Sequence, residues 1–345
     1  MKFRSVFFTV IFFLILLLFT EVLLRLVLVF YGYPFFRPSD YLYKGIYQGL
    51  DKVAEKNIQR GDDVKDVLIL GGSVVSTAWS RLESRLDTIL SKKLGNGQKF
   101  AFYNQARAGY TSLDNRIQYE LLDKQRFDLV IYYEAINENR ANNVPPKDFL
   151  PDYSHIKWYS DIYLLRAHPE INFTVIPFLV AKVIKAARDI GSHKVYISQE
   201  TVDPKFIKYG ADIKTAKPFR KNLGEIINMA NHRGDNLLLM SYASYFPQNV
   251  VLTGQESDMK HFAGCNFASP VVIWGNPENV KKGIKTHNEV ITELARENHL
   301  NFMDMANTMP KDSSLFCDVC HVSEAGAQRY ANELSDFIVK NKLLR

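Results

Sequence analysis

Apolar residues along this chain follow two patterns, and the first consists of short uninterrupted runs. Such runs, bounded by Gly or polar residues, predict strands that are buried on both faces of a sheet. The clearest run, 67–70, leads into Gly71, Gly72 and Ser73. By this criterion we predict five strands, at 66–71, 99–104, 128–133, 236–241 and 301–305.

The second pattern has apolar residues at every third or fourth position, which is typical of amphipathic helices. It follows the first strand and returns after Ser112, at about 277–298 and after Ser323, which is a good N-cap. Strands alternating with helices predict right-handed βαβ units and a parallel sheet. The alternation stops from 142 to about 235. We predict an insertion there that covers the carboxyl edge of the sheet.

The first 32 residues are far more apolar than the rest of the chain. No small-residue cleavage site follows the apolar run, so we expect residues 6–31 to form an uncleaved, single-pass transmembrane signal anchor. Glu21 and Arg25 interrupt the run four residues apart, which would let them pair on one helix face.

Charges on both sides of this segment bear on its orientation. Lys2 and Arg4 favour a cytoplasmic N-terminus and an extracytoplasmic (periplasmic or outer-face) main domain, whereas Arg37 and Lys44 oppose it. We expect residues 33–63 to be a tether that packs on the main domain, and 64–345 to be that domain.

Composition narrows the classes of partner. The chain has 345 residues and a net charge of +6, and its Lys and Arg residues are scattered, so we expect no nucleic-acid partner. Three cysteines exclude a cysteine-rich scaffold, and Cys317 and Cys320 have no second pair to complete a zinc site. We expect neither a metal nor another cofactor.

Polar residues with catalytic potential follow successive strands or precede the last helix. Open α/β folds bind ligands at the carboxyl ends of their strands, where these residues would meet. Ser73 can act as a nucleophile, His321 as its base, and Asp318 can orient the imidazole. The backbone N–H groups of Ser73 and Gly109 and the amide of Asn137 can bind an oxyanion. The alternative for Ser73 is a plain helix cap.

These residues fall in four short blocks, 71–74, 108–110, 135–138 and 318–321, whose order and spacing resemble the SGNH (GDSL) hydrolase superfamily. The resemblance covers roughly 64–140 and 236–341. It implies a flavodoxin-like three-layer α/β/α sandwich with a five-stranded parallel sheet, often in the order 2-1-3-4-5. It also implies the same Ser73, Asp318, His321 triad and an oxyanion hole of Ser73, Gly109 and Asn137.

Three residues depart from the family pattern, and none of them is catalytic. Gly72 stands where the family has Asp, Ala135 replaces a Gly, and Glu138 is the acidic neighbour of Asn137. Family members hydrolyse esters, and a few transfer acyl groups. The Asp-x-x-His spacing favours hydrolysis of an acyl ester, such as an O-acyl group on a glycan or a lipid, or of a small ester. An O-acyltransferase acting on a glycan and a non-catalytic ligand-binding relative are the alternatives.

Some further assignments stay open at the sequence level. Tyr153, His155 and Trp158 could line the substrate pocket, or they could pack within the inserted loop. The stretch 175–190 is either a core helix, which we favour, or a membrane-facing lid. In an oxidising compartment we expect Cys265 to be bonded, to Cys320 rather than to Cys317.

Overall fold

The computed structural model describes residues 2–61, 63–95 and 97–344, with Lys2 and Phe3 described by backbone alone. The charge of Lys2, used above for orientation, therefore lies outside the described side chains. A five-stranded, all-parallel sheet has the order β2-β1-β3-β4-β5, which is the predicted order. Its strands are β1 (Val64–Gly71), β2 (Lys99–Asn104), β3 (Leu129–Tyr133), β4 (Leu237–Met240) and β5 (Asn301–Met303).

Helices flank this sheet in two groups. The helices α3 and α11 pack together, and α4, α8 and α9 pack in succession. The helix bounds are α1 (Lys2–Phe30), α2 (Leu50–Ala54), α3 (Leu82–Leu94), α4 (Ser112–Leu121), α5 (Glu138–Asn142), α6 (Lys157–Arg166), α7 (Ile176–Gly191), α8 (Ala216–Arg233), α9 (Pro277–Glu297), α10 (Met305–Thr308) and α11 (Glu324–Lys340). The predicted α/β fold class is therefore confirmed. Ser323 caps α11 as expected, because its hydroxyl accepts from the Gly326 N–H.

The predicted insertion is not uniform. Its last helix, α8, packs against α4 and α9 and so belongs to the layers around the sheet. Residues 157–196 instead cluster with the chain up to Lys52 as one compact unit, and the remainder forms the other.

The first unit contains one helix that is long and apolar enough to cross a membrane, 4–30. The expected ion pair is present, since Arg25 Nε lies 2.7 Å from Glu21 Oε1. Our preferred prediction of a core helix at 175–190 is wrong, because Phe178 is the only residue of α7 that is buried.

In the second unit, strand register places the candidate residues. Gly71 of β1 pairs with Tyr133 of β3, so the turns that follow the two strands leave the sheet side by side. Ser73 begins a short 3₁₀ turn, Ser73–Val75, and α3 starts nine residues later. Ser73 is therefore not the cap of α3, which removes the structural alternative considered for it.

Candidate active site

Three residues from opposite ends of the second unit form a hydrogen-bonded chain. Ser73 Oγ lies 2.7 Å from His321 Nε2, and His321 Nδ1 lies 2.6 Å from Asp318 Oδ2. The imidazole donates from Nδ1 to the carboxylate, which leaves Nε2 to accept the serine proton. All three residues are buried. Sequence reasoning placed these three residues together, and the structure brings them within hydrogen-bond reach.

Backbone amides hold the carboxylate of Asp318 in this chain. Its Oδ1 accepts from the N–H groups of Cys320 and His321, each at 2.8 Å, and its Oδ2 accepts from the Ser269 N–H at 2.7 Å. Burial by itself would raise the pKa of Asp318, but the attraction of His321 and these hydrogen bonds hold it below its usual value. The group therefore stays ionised and faces the imidazole as an anion.

Two tryptophans border the imidazole, and sequence reasoning missed both. The Trp79 ring stacks on His321 with a centroid distance of 3.8 Å and an interplanar angle of 17°. The Trp274 ring lies 5.8 Å from the same ring, and Phe267 packs 5.6 Å from Trp79. Stacked rings restrict the imidazole to one plane and keep water from its face. Only the position of Trp79, six residues after Ser73, could have hinted at this contact.

The Asn137 side chain is fixed at all of its polar atoms. Its Nδ2 donates to the Tyr110 carbonyl at 2.9 Å and to Glu134 Oε2 at 3.2 Å. Its Oδ1 accepts from Arg140 Nη1 at 2.8 Å and from Trp274 Nε1 at 3.0 Å. Both amide hydrogens are therefore engaged in the resting protein, and an incoming oxyanion has to compete for one of them.

Glu134 is a buried carboxyl group that the motifs did not reveal. Its Oε1 accepts from the Asn137 backbone N–H at 2.7 Å. A Cβ built on Gly72 would lie only 2.0 Å from Glu134 Oε2 and 2.9 Å from Asn137 Nδ2. The glycine at position 72 thus leaves the space that this carboxyl group fills. Burial, with the nearby Glu138, raises the pKa of Glu134 to about 8.

Glu138 lies beside this network and is also buried. Its Oε1 accepts from the Ser112 backbone N–H at 2.5 Å, and its Oε2 accepts from the Tyr153 hydroxyl. Burial raises the pKa of Glu138 to about 7, although both hydrogen bonds oppose that shift. Two acidic side chains with raised pKa values therefore stand on the Asn137 side of the site.

Gly109 has a backbone requirement of its own. Its φ of +82° lies in the left-handed region that favours glycine. Among the described residues, the nearest atom to an added Cβ would be Arg140 Nη1, at 3.9 Å. Backbone conformation, rather than a crowded site, accounts for the glycine in the resting protein. Its place in an oxyanion hole stays a prediction.

The three candidate substrate-binding aromatics belong to two different units. Tyr153 and His155 have no exposed surface, and His155 bonds through Nδ1 to the Leu150 N–H and through Nε2 to the Ala141 carbonyl. Burial lowers the pKa of His155 to about 4, so this imidazole is a neutral structural element. Packing within the inserted loop, the alternative we weighed, describes these two residues. Trp158 is half-buried on α6, in the other unit.

The cysteine pairing differs from our expectation. Cys265 is bonded to Cys317, with Cα atoms 5.5 Å apart, and Cys320 is a buried free thiol. The predicted bond to Cys320 is therefore wrong. The physical reason is backbone pairing, because the Ala263 N–H donates to the carbonyl of residue 316 at 2.8 Å and brings Cys265 beside Cys317. Cys320 lies within the hydrophobic core.

One set of potential metal ligands coincides with this loop. Donor atoms of Asp318, Cys320 and His321 lie within 4.8 Å of one another. Both imidazole nitrogens are already engaged, by Asp318 and by Ser73, and burial raises the pKa of the Cys320 thiol well above its usual value. These donors suit proton transfer to and from Ser73 better than metal binding.

Comparisons with known proteins add structural neighbours only. No protein-family model and no curated protein matches the chain. An acetyl xylan esterase variant from Geobacillus stearothermophilus is 12% identical with a TM-score of 0.44, covering 82% of this chain and 97% of its own. A GDSL-like lipase from Bacteroides thetaiotaomicron is 13% identical with a TM-score of 0.42, covering 85% and 98%.

A third neighbour is a carbohydrate acetylesterase family member from Sinorhizobium meliloti, 12% identical with a TM-score of 0.42, covering 81% of this chain and 99% of its own. At these TM-scores the neighbours carry no argument about the chemistry of this chain. The strand order and the flanking helices, taken from this chain itself, define an α/β protein with a five-stranded parallel sheet.

Proposed function

We propose that this chain is a serine ester hydrolase with Ser73 as nucleophile, His321 as base and Asp318 as the group that orients the base. The observation that carries the proposal is the continuous chain of short hydrogen bonds from Ser73 Oγ through the imidazole to Asp318. Nucleophile, base and orienting carboxylate within hydrogen-bond reach are the geometric requirement for acyl transfer through a hydroxyl group.

The reaction follows from the protonation states. Ser73 Oγ attacks the ester carbonyl while His321 Nε2 takes its proton, and the imidazolium that forms is stabilised by Asp318. The same proton then passes to the leaving alcohol as the ester C–O bond breaks, which leaves an acylated Ser73. Water, deprotonated by His321, attacks this acyl group, and its proton returns to Ser73 Oγ as the acid departs.

The negative charge on the carbonyl oxygen needs donors during both steps. We assign the backbone N–H groups of Ser73 and Gly109 and the amide of Asn137 to this role. The support is that β1 and β3 end side by side, and that four partners hold the Asn137 amide rigidly before substrate arrives. A donor held in place in advance needs little reorganisation when the charge forms, because the Asn137 amide only exchanges one of its acceptors for the oxyanion.

For the substrate we propose an acylated glycan, lipid or small ester, hydrolysed at the outer side of a membrane. Hydrolysis is preferred over transfer to a glycan on the Asp-x-x-His spacing of Asp318 and His321. An O-acyltransferase would use the same residues, and it would differ in giving an acylated product that depends on an added acceptor. A non-catalytic relative would bind such ligands without turnover.

We further propose that residues 6–31 anchor the chain in the membrane with the second unit outside the cytoplasm. The apolar helix supports the anchor. The Cys265–Cys317 bond supports the orientation, since structural disulfides persist in oxidising compartments. The anchor and the orientation rest on different observations, so they are tested separately.

Turnover of nitrophenyl esters of graded acyl length by the purified full chain tests the reaction. A serine-directed fluorophosphonate probe should label Ser73, and Ser73→Ala should lose both labelling and turnover. Ser91→Ala, a substitution on the exposed side of α3, is the matched control and should retain both. Full labelling of Ser73→Ala would disprove the assignment. Product analysis with and without a glycan acceptor separates hydrolysis from transfer.

Reporter fusions after Arg345 test the topology. Alkaline phosphatase should be active there and green fluorescent protein dark, because the first folds outside the cytoplasm and the second inside it. The reverse pair of results would invert the orientation. Recovery of the protein in the soluble fraction would remove the anchor.

A further inference from the structure

Helix α7 carries an apolar face that lies open in this structure. Exposed apolar side chains recur along it at intervals of three, four and seven residues, which places them on one stripe of the helix. Phe173, just before the helix, is 87% exposed, Val183 is 69% exposed and Ile190 is 76% exposed. The members of this stripe are Phe173, Val180, Val183, Ile184 and Ile190. Contiguous apolar faces of this kind mark an interaction surface.

The start of α7 is joined to the apolar helix α1 within the same unit. Glu21 of α1 accepts from the Thr174 hydroxyl at 2.9 Å and from the Val175 backbone N–H at 3.0 Å. Arg25 completes the junction by donating to the Asn172 carbonyl at 3.1 Å. A carboxylate at a helix N-terminus is stabilised by the helix dipole. The two charges in the apolar run thus hold α7 against α1.

A second contact joins the two elements further along. Lys182 Nζ lies 5.6 Å from the centre of the Tyr31 ring, directly beyond α1. Many apolar residues of α1 are exposed up to Phe30, although Leu28 is buried, so the same unit carries two exposed apolar surfaces. Arg188 is exposed at the edge of the stripe, where it can reach anionic headgroups.

We infer that the apolar stripe of α7 contacts the lipid of the same bilayer that α1 enters, as an interfacial helix held in place by Glu21 and Arg25. This inference rests on the proposed membrane anchor and is independent of the proposed esterase activity. An apolar face with flanking cations, attached to a membrane helix at its two charged residues, has the chemistry of the headgroup and acyl-chain boundary.

Spin labelling of the full chain in nanodiscs of phosphatidylcholine with phosphatidylglycerol tests the contact. Labels are placed at Val183→Cys on the stripe and at Lys182→Cys, an exposed position on the polar face of the same helix. Cys320 is buried, so it should stay unlabelled. The label at 183 should be more accessible to oxygen than to a water-soluble nickel complex, and the label at 182 should show the reverse preference.

Equal exposure of both labels to the nickel complex would overturn the inference. So would spin–spin broadening at 183, since that result identifies a second copy of the chain as the partner. A label at Leu16→Cys in α1 separates this failure from failure of the anchor. Oxygen-rich surroundings at 16 with a water-exposed label at 183 mean that only the interfacial contact fails.

A separate observation concerns the carboxyl group next to the nucleophile turn. Position 72 has a glycine, and the space that its side chain would occupy is filled by Glu134, which arrives from the end of β3. The Glu134 oxygens accept from both the backbone N–H and the side-chain amide of Asn137. No other carboxyl oxygen among the described residues bonds to that amide.

We also propose that Glu134 is the positioning residue for Asn137, and that it takes the place of a carboxylate at position 72. This proposal deepens the proposed function, because it acts through the oxyanion donor. Removal of the Glu134 carboxyl group takes away one of the four partners of the amide and the acceptor of the Asn137 backbone N–H, which should loosen this donor, lower kcat and leave KM nearly unchanged. A merely structural role would instead lower the melting temperature and leave the kinetics of the folded fraction intact.

An exchange of carboxyl groups between the two positions gives the sharpest test. Glu134→Ala should lose kcat, and Gly72→Asp combined with Glu134→Ala should recover part of the loss, because the new carboxyl group can accept from the Asn137 amide once that side chain moves away from the new Cβ, which would lie 2.9 Å from Nδ2. Gly72→Asp alone should fail to fold, since its side chain meets Glu134. Wild-type kcat in Glu134→Ala, or a double variant that is no more active or does not fold, would overturn the proposal. Ser73→Ala, run in parallel, shows whether the esterase proposal itself fails.

Discussion

The two sides of the candidate site are built in different ways. On the base side, Asp318 and His321 are three residues apart, and the carboxylate is held by two N–H groups of its own loop and by that of Ser269. On the oxyanion side, the Asn137 amide is held by the side chains of Glu134 and Arg140, each three residues away, and by that of Trp274, 137 residues away. The first side is mainly a local backbone structure, whereas the second is a buried network of side chains.

This difference has an energetic consequence. The attraction of His321 and the backbone N–H groups stabilise the charged form of Asp318, so burial there does not neutralise it. The carboxyl groups of Glu134 and Glu138 have no such neighbouring cation as their main partner, and burial raises their pKa values to about 8 and about 7. The Asp318 carboxyl group should therefore stay charged near neutrality, whereas the charge on Glu134 and Glu138 should respond to pH there.

The largest expected effect comes from removing the reactive pair. Ser73→Ala and His321→Ala should each lower ester turnover by on the order of 10⁴-fold or more. The double variant should lose little beyond either single one, because the two groups act as a unit. Turnover of a nitrophenyl ester measures this, with His232→Ala on the exposed side of α8 as the control. Additive losses would contradict the prediction that Ser73 and His321 act as one unit.

The oxyanion side should show a smaller and purer effect on rate. Asn137→Ala should lower kcat on the order of 10²–10³-fold with little change in KM, as expected for a donor used in the transition state. Steady-state kinetics on the same esters separate the two constants. A change confined to KM would mean that Asn137 binds the substrate in the ground state only. That result would contradict its role as an oxyanion donor.

Loss of the disulfide should act on the base side alone. Cys317 adjoins Asp318, and Cys265 lies in the loop whose Ser269 N–H donates to that carboxylate. The two cysteines are 52 residues apart in the sequence. Reduction of their bond should lower the free energy of unfolding by up to about 4 kcal/mol by the chain-entropy model. We expect reductant to lower turnover before it lowers helicity, followed in parallel by ester kinetics and circular dichroism. A simultaneous loss would contradict a local role.

The smallest expected effect is a dependence of the free energy of unfolding on pH. The folded-state pKa of Glu134 is raised from 4.5 to about 8, so the folded state holds a proton there that the unfolded state releases. The contribution of this proton to the free energy of unfolding is complete below about pH 4.5. It is lost as the pH rises towards 8, by on the order of 1 kcal/mol per pH unit. Glu134→Gln should flatten this slope in denaturant titrations at graded pH. Glu55→Gln, at an exposed position, should leave it unchanged.

Buried histidines should oppose that slope in acid. The pKa values of His155 and His287 are lowered to about 4 by burial, so the unfolded state binds their protons first as pH falls below about 6.5. Stability should therefore rise with pH between about 4 and 6.5 on their account. The decline caused by Glu134 should stand out only above about pH 6.5, which is the range to measure.

Sequence reasoning succeeded where structure is periodic or local. Apolar runs located all five strands, and the bounds of β2 were predicted without error. The contacts of Ser73, Asp318 and His321 followed from their places at strand ends and before the last helix. The backbone geometry of a few consecutive residues determines such strands and turns, and a short sequence motif is enough to predict them.

The features that were missed depend on contacts across the fold. The sequence analysis did not single out Glu134, although an acid directly after the predicted strand at 128–133 was a usable signal. Trp274 bonds to Asn137 from 137 residues away, and no local pattern reports such a contact. The choice between Cys317 and Cys320 was decided by the pairing of two distant backbone segments, which spacing alone could not show.

The order of the active-site residues along the chain has a consequence for biosynthesis. Ser73 and His321 are 248 residues apart, and the base lies in the loop directly before α11. At about 5–20 residues per second, the ribosome adds the histidine roughly 12–50 s after the serine. Until then the nascent chain has the hydroxyl group of Ser73 but not the imidazole of His321. We therefore expect incomplete chains not to hydrolyse esters.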